Sequence, residues 1–507
     1  MALSWPIMTA HFFSRGGCMN QSAGVAAKRL PESERKQLAV QALAGSETIS
    51  ELSARLGVSR KFVYAQRGKA SDALDVAFSL TAPDDEVLFQ LPVTRPWLRQ
   101  VMLGLTLICR SSYRGVVEFM RDLLGVCVSV GSVHNLQQWA AQQARAINRE
   151  QDLSGIRVGL HDEIFQGSQP VLTGVDAEST YCYLLAGEKH RDADTWGVNL
   201  LDTSRQGLAP DYTIADAAQG LRAGQKAAWG DTPCHGDVFH IQHQCETLGK
   251  LARGARTRRE QLEAGTDRAR ARGRAGRFAA ALRQARHAQA HADELARDVR
   301  TLTQWLSHDI LALAGPVLAT RQMLFDFVVD ELRQRERQDP RRIRPVRVAL
   351  QNQRDDLLAF AGVLNAKLAT IAQAANVPGV LVRAACVLHR KPATSGAYWQ
   401  GWGRLRSQLG DQFHAVFAAV AQVTEHTPRS SSLVENLNSR LRNYFTLRRH
   451  LGTPYLDLLR FFLNHRRFMR SRRAERQGRS PCELMTVQDH PHWLTMLGLG
   501  PLQPRQA

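Results

Sequence analysis

Three carboxylates stand out by their surroundings. Asp162 lies in the apolar run Ile156–Phe165, and Asp216 follows fifty-four positions later (216 − 162) in Tyr212-Thr-Ile-Ala-Asp216. Far downstream, Glu435 opens the polar stretch Ser431-Ser-Leu-Val-Glu-Asn-Leu-Asn-Ser-Arg-Leu-Arg442. A carboxylate set into an apolar stripe is expensive to bury without a cationic partner, and a metal ion is one such partner. Mg²⁺ takes oxygen ligands and keeps several waters, so two or three carboxylates and a substrate phosphate complete its shell. Acidic side chains converging from separate segments can hold two such ions, the arrangement that cuts and joins phosphodiesters. Asn438 and Arg442 fall three and seven positions after Glu435, on the same helical face, where they would orient phosphate.

The elements that must position these groups follow from periodicity. Along the first strand Ile156, Val158, Leu160 and Asp162 share one face, because side chains alternate; Glu163 points the other way and ranks behind Asp162. Further strands are expected at Pro170–Val175, Tyr181–Ala186, Asp211–Ala215 and Thr232–Phe239. Helices are expected at Thr195–Asp202, capped by Asp192 or Asp194, and at Leu221–Trp229. The order β-β-β-α-β-α-β describes a mixed sheet with helices on its faces, an α/β core. Both aspartates are expected at strand ends, where functional groups of open α/β sheets gather.

Around this core, over 151–245 and 426–480, the chain divides further. Residues 1–30 are expected to be disordered, with Met8 and Met19 as alternative starts. Residues 31–75 read as a helix-turn-helix. Thr48-Ile-Ser-Glu51 is a capping box, Gly57 supplies the turn, Val58 plugs it and Ser59 caps the next helix. That helix presents Arg60, Lys61, Tyr64 and Arg67 to a DNA groove. Residues 76–150 form a second helical unit, with an apolar stripe from Val116 to Leu124, a break at Gly125 and a cap at Ser132. It is either a second helix-turn-helix or packing against the core. Residues 246–425 are an all-helical insertion, rich in arginine over 250–300, and 481–507 read as a C-terminal tail.

Composition agrees with a polyanionic partner. The 507 residues carry a net charge of +19 and are 44% hydrophobic, too long for one core and ordinary for folded protein. Neutralising DNA phosphates releases counterions, so an Arg-rich surface favours nucleic acid. Eight dispersed cysteines suggest reduced thiols. No membrane span is expected, because no run reaches about 20 apolar residues, and the first residues lack the basic and long apolar regions of a signal peptide.

The strand order with Asp162, Asp216 and Glu435 resembles the RNase H-like catalytic domain of DDE transposases from bacterial insertion sequences. Asp237-Val-Phe-His240 is similar to the (C/D)xxH signature that follows the second aspartate in mutator-like and related families. The resemblance covers about 155–245 and 425–475, and the long gap before Glu435 matches family members with a helical insertion there. It implies two Mg²⁺ ions, with Mn²⁺ able to substitute, bridged by Asp162 and held by Asp216 and Glu435. It implies cleavage at transposon ends and 3′-hydroxyl strand transfer, double-stranded DNA as partner (terminal repeats and target), a homo-oligomer that synapses two ends, and a bacterial cytoplasmic location. Asp237 and His240 would support the metal ligands or touch DNA, or serve structure alone.

Alternatives remain in the sequence. A catalytically inactive DNA-binding regulator would share the domains without needing the three carboxylates. A tyrosine recombinase would need Tyr444 as nucleophile, but His465-Arg-Arg-Phe fails its His-x-x-Arg pattern. An RNase H-like nuclease without strand transfer is a third class. Cys234, His235, His240, His243 and Cys245 fit no standard zinc spacing. Trp399 and Trp402 would either stack on an extruded base or pack the insertion.

Overall fold

The computed structural model describes residues 30–78, 91–274, 276, 278–447, 452–471 and 473–502. The segment expected to be disordered, 1–30, lies outside them except for Leu30. The chain divides into two compact units, Met1–Pro92 and Val93–Ala507.

In the first unit, helices α1 (Glu32–Ala44), α2 (Ile49–Arg55) and α3 (Arg60–Phe78) close over Leu38, Ala42, Leu52, Val58 and Val63. The expected signals act as read. Thr48 and Glu51 form a reciprocal capping box, and Gly57 takes the left-handed φ of +62° that the turn requires. Ser59 Oγ accepts the Phe62 amide at 3.2 Å. Arg60, Lys61, Tyr64 and Arg67 are all exposed on α3.

The second unit begins with α4 (Arg95–Leu107), α5 (Tyr113–Leu124) and α6 (Val130–Glu150). Val116 and Met120 are fully buried, while Leu123 is exposed. The cap of α6 is Ser129 rather than Ser132. Ser129 Oγ accepts the Ser132 amide at 3.0 Å, so the helix starts one turn earlier than expected. These helices share a core with the sheet.

The sheet runs β1 (Val158–Gln166), β2 (Gln169–Asp176), β3 (Cys182–Gly187), then α7 (Ala193–Ser204), β4 (Tyr212–Ala215), α8 (Gln219–Trp229) and β5 (Cys234–Gly236). Its spatial order is β3-β2-β1-β4-β5. The β1–β2 and β2–β3 pairs are antiparallel; β1–β4 and β4–β5 are parallel. This is the mixed α/β core expected from the pattern. The fifth strand is shorter than expected because Asp237 turns the chain into helix α9 (Val238–Leu248), its carboxylate accepting the Phe239 amide at 2.8 Å. Asp192, one of two candidates, caps α7 through the Thr195 amide.

Both faces of the sheet are buried. On one, Leu172, Tyr183, Trp196, Leu200 and Leu221 pack beneath α7 and α8. These helices meet at Gly197 and Gly224, and a Cβ on Gly224 would lie 2.5 Å from Trp196 Cβ and 2.6 Å from the Ala193 carbonyl. We therefore expect Gly224→Ala to destabilise the protein by about 1–3 kcal/mol in urea unfolding, since backbone blocks relaxation; unchanged stability would refute this close packing. On the other face, Leu160, Ile164, Val171, Val175 and Ile214 meet α6 and two late helices, α18 (Ser432–Phe445) and α19 (Thr453–His465).

Between β5 and α18 the chain is all helix: α9, α10 (Arg253–Ala271), α11 (Ala279–Trp305), α12 (Leu318–Glu336), α13 (Pro340–Asn352), α14 (Arg354–Ala374), α15 (Gly379–His389), α16 (Gly396–Leu409) and α17 (Phe413–Glu425). Among the described residues one helix, α14, is long and apolar enough to cross a membrane. Here it joins two cores instead, with Leu357, Leu358, Phe360 and Ala361 in one and Leu364 and Leu368 in the next. Trp402 packs edge-on against Phe413 at 5.0 Å, whereas Trp399 is 57% exposed.

Helix α18 (Ser432–Phe445) carries Glu435, and α19 (Thr453–His465) is buried along most of its length. Of the expected tail, 481–507, the described residues 481–502 are folded. Helices α20 (Pro481–Thr486) and α21 (Trp493–Met496) fold back, and Trp493, Leu494, Leu497 and Leu499 enter the main core. Gln100 Nε2 secures this return by donating to the Leu499 and Pro501 carbonyls, each at 3.1 Å. The apolar spacing 493, 494, 497, 499 is the signal in the sequence that marks this return.

A candidate carboxylate site above the parallel strands

The register of β1 and β4 explains the fifty-four-residue interval. Val158 pairs with Tyr212, Gly159 with Thr213 and Leu160 with Ile214, each pair separated by the same interval as Asp162 and Asp216. Continuing that register two residues sets the aspartates level on neighbouring parallel strands. Leu160 and Ile214 face the same core, so by alternation the two carboxylates share that face. One expectation needs correcting. Asp162 is mid-strand, not at a strand end, because β1 continues to Gln166 in its pairing with β2. It emerges beside the end of β4, which stops at Ala215.

The same logic carries to β5. Thr213 pairs with Cys234 and Ala215 with Gly236, so Asp237 stands level with Asp216 in the next strand. Asp237 is 1% exposed. Its Oδ1 accepts the amides of Phe239 (2.8 Å) and Ser431 (3.2 Å). Its Oδ2 accepts the Ser431 hydroxyl and faces His240 Nδ1 at 3.2 Å. One carboxylate thus ties the start of α9 to the start of α18. The Val238 amide, donating to the Arg429 carbonyl at 3.2 Å, repeats the tie. Ser431, which is not among the predicted site residues, is spent on this link and does not cap its own helix. A serine immediately before a polar helix was the available signal.

Glu435 sits on the first turn of α18, half-buried. Asp162 receives the Glu163 amide on Oδ1 (2.8 Å) and the Asn438 amide nitrogen on Oδ2 (2.7 Å). Asn438 is 1% exposed, so it holds Asp162 in place and is not the DNA contact that its helical spacing suggested. Among the described residues its buried Oδ1 has no hydrogen-bond partner. Arg442, further along α18, is exposed as expected. Asp216 accepts the Ala218 amide at 2.9 Å. Glu163 faces the opposite side, where Arg191 (2.9 Å) and Trp196 Nε1 (3.0 Å) hold it.

The electrostatics show which groups feel one another. Burial pushes the Asp162 carboxyl up to about 7; Glu435 and Asp216 push the same way, against the Glu163 amide and His240. The Asp237 hydrogen bond raises His240 to about 9, opposed by burial and reinforced by the charges of Asp237, Asp162 and Asp216. Burial works to raise Asp237, but the bonds from His240, Ser431 and Phe239 outweigh it and hold the group below the usual carboxylate range. At neutral pH the site therefore contains an imidazolium beside crowded carboxylates.

Among the described residues, no three His, Cys, Asp or Glu side chains already stand gathered at chelating distance. Crowded like charges repel in the absence of a cation. The chemistry of the donor set nonetheless fits a hard cation. It offers carboxylate oxygens from two strands and a helix, and the orphaned Asn438 oxygen belongs to the residue that grips Asp162. The zinc alternative finds no support in placement. Cys245 is buried in the core, His243 pairs with Glu246 at 3.4 Å, and His235 stacks on Tyr212. Tyr444 is 2% exposed and donates to the Leu107 carbonyl at 2.8 Å, which disfavours it as a nucleophile.

No protein-family model and no curated protein matches this chain.

Proposed function

We propose that the chain is a DNA transposase of the DDE kind, cleaving at transposon ends and joining the 3′-hydroxyl to target DNA from an RNase H-like core. The observation that carries this is the register that levels Asp162 with Asp216 while the Asp237–Ser431 link brings the Glu435 helix against the same strands. The strand order with an antiparallel first half and a parallel second half supports the RNase H-like assignment. The exposed cationic face of α3 supports duplex binding.

Within this proposal Asp162, Asp216 and Glu435 hold two Mg²⁺ ions, with Mn²⁺ able to replace them. Bound there, the ions would acidify a water or a 3′-hydroxyl and stabilise the leaving oxygen of an in-line displacement. The protein's own residues prepare that site. Asn438 fixes the Asp162 carboxylate, and Asp237 fixes the approach of α18. His240, protonated at neutral pH, adds a positive charge beside the carboxylates. Synapsis of two ends calls for a homo-oligomer, and reduced cysteines suit a bacterial cytoplasm.

The test is nicking of a terminal inverted repeat by purified protein, with and without Mg²⁺ or Mn²⁺. Metal-dependent nicking followed by joining of a pre-cleaved end supports a transposase. Nicking without joining would indicate a nuclease, and tight duplex binding without either would indicate an inactive regulator.

A further inference from the structure

The helical insertion contains a groove that the carboxylate site does not use. It lies between the end of α9, the start of α10 and the side of α13, with a volume of about 1250 Å³. Its floor is apolar, from Pro345, Val346 and Ala349. Five cations rim it: Lys250, Arg253, Arg258, Arg341 and Arg342, and no carboxylate lines it. Arg342 is engaged, donating to the Leu251 carbonyl at 2.8 Å, with Asp339 near it at 3.9 Å. Lys250, Arg253, Arg258 and Arg341 are exposed and have no carboxylate partner among the described residues. Some arginines elsewhere in the insertion are paired, as Arg256 is with Asp293 and Arg335 with Glu331, and others are as free as these four. What sets the groove apart is that its cations face one concavity with no carboxylate in its lining.

One face of helix α9 runs from the carboxylate site towards the groove. Gln244 and Thr247 line it, and they lie four and seven residues after His240 on α9. That spacing places all three on one face of the helix. At 1.5 Å rise per residue the path from His240 to Thr247 is about 10 Å, a few nucleotides along a backbone at roughly 3.4 Å per step of one strand.

We propose that this groove binds the phosphodiester backbone of DNA next to the position being cut, making the insertion a DNA-holding module. The inference rests on the proposed function for its orientation toward the carboxylates, but not for its charge. Lys and Arg without carboxylate partners in a concave wall neutralise phosphates and release counterions on binding.

The test uses the full-length protein carrying Arg253→Gln, Arg258→Gln and Arg341→Gln together, with a short duplex ending in the inverted repeat. At about 0.1 M salt the triple variant should bind at least tenfold more weakly, and its salt slope should flatten by about 2 to 3, near 0.9 per lost phosphate contact. The thermal melt should be unchanged, because all three side chains are exposed. The single variant Arg258→Glu provides a second measure and should weaken binding severalfold. Equal affinity and an equal salt slope would overturn the proposal. So would a loss for heparin as large as that for DNA with no change in protection of the backbone next to the nick, which would indicate a general polyanion surface. Asp162→Asn separates the two proposals. If it binds DNA normally while the triple variant does not, the groove stands even if the parent never nicks; if the parent nicks and the triple variant binds as well as the parent, only the groove falls.

Discussion

Asp162→Asn should reduce metal-dependent strand cleavage by about a thousandfold or more while leaving duplex affinity within twofold or so of the parent. The magnitude follows from removing a ligand that both ions would share, which costs several kcal/mol of transition-state stabilisation. Asparagine keeps the shape; its one oxygen can still accept the Glu163 amide, and a flip of the Asn438 amide lets the unpartnered Asn438 Oδ1 accept from the new NH2, so a folding defect is not the expected cause. Asp216→Asn and Glu435→Gln should follow the same pattern. A variant that cuts as fast as the parent would remove that residue from the site.

The pH dependence gives an independent check. The Asp162 carboxyl is raised from 3.8 to about 7 by burial and by its acidic neighbours. The folded protein therefore binds this proton more tightly than the unfolded chain does. Without metal, its contribution to stability is present below about pH 4, falls as pH rises towards 7, and is flat above that. Asp162→Asn removes the slope, so the variant should be more stable than the metal-free parent at pH 8, by a few kcal/mol at most, and nearly equal at pH 4. Added Mg²⁺ should invert the order at pH 8, because the cation replaces the proton as partner for the carboxylate. Urea unfolding at the two pH values, with and without Mg²⁺, measures all four quantities. A parent whose stability relative to the variant ignores both pH and Mg²⁺ would show that Asp162 is neither crowded nor a ligand.

Much of this site was legible because parallel strands preserve sequence intervals as spatial ones. The apolar-to-acidic transitions at Asp162 and Asp216 mark two strands, and their equal offset becomes a shared level once β1 and β4 pair. The helix-turn-helix was legible for a different reason. Its signals at Thr48, Gly57 and Ser59 are local backbone chemistry. What sequence could not show was burial. Asn438 shares the Glu435 face by spacing, but only the packing of α18 on the sheet reveals that it is sealed against Asp162. The 481–502 segment misled because short helices with few apolar residues look like a tail until another surface receives them. The groove in the insertion was hidden because its cations come from two helices and a turn distant in the chain, and a run of arginines looks the same whether paired or free.

Asp237→Ala should be among the most damaging single substitutions in the chain, although Asp237 is not one of the three proposed metal ligands. Its carboxylate is the shared acceptor for the Phe239 amide and for both the amide and hydroxyl of Ser431. Removing it leaves these donors unpaired in a buried place, at about 1–3 kcal/mol each in the worst case, and deletes the cap of α9. A total of roughly 3–5 kcal/mol is expected after partial relaxation, with loss of cleavage because α18 is no longer fixed against β5. Asp237→Asn separates the scaffold from the charge. The amide can still accept from the backbone, so most stability should survive, but His240 loses the partner that raises it to about 9. Its titration, followed by NMR, should fall towards the ordinary 6.5. A histidine raised in the folded state contributes stability that is full below its unfolded pKa and lost as pH climbs through the folded value. The parent should therefore weaken between about pH 6.5 and 9 where Asp237→Asn does not. If His240 in Asp237→Asn still titrates near 9, the cation in the site is held by something other than Asp237. If Asp237→Ala folds with parental stability, the Glu435 helix is anchored elsewhere, and the convergence of strands and helix on one site loses its physical cause.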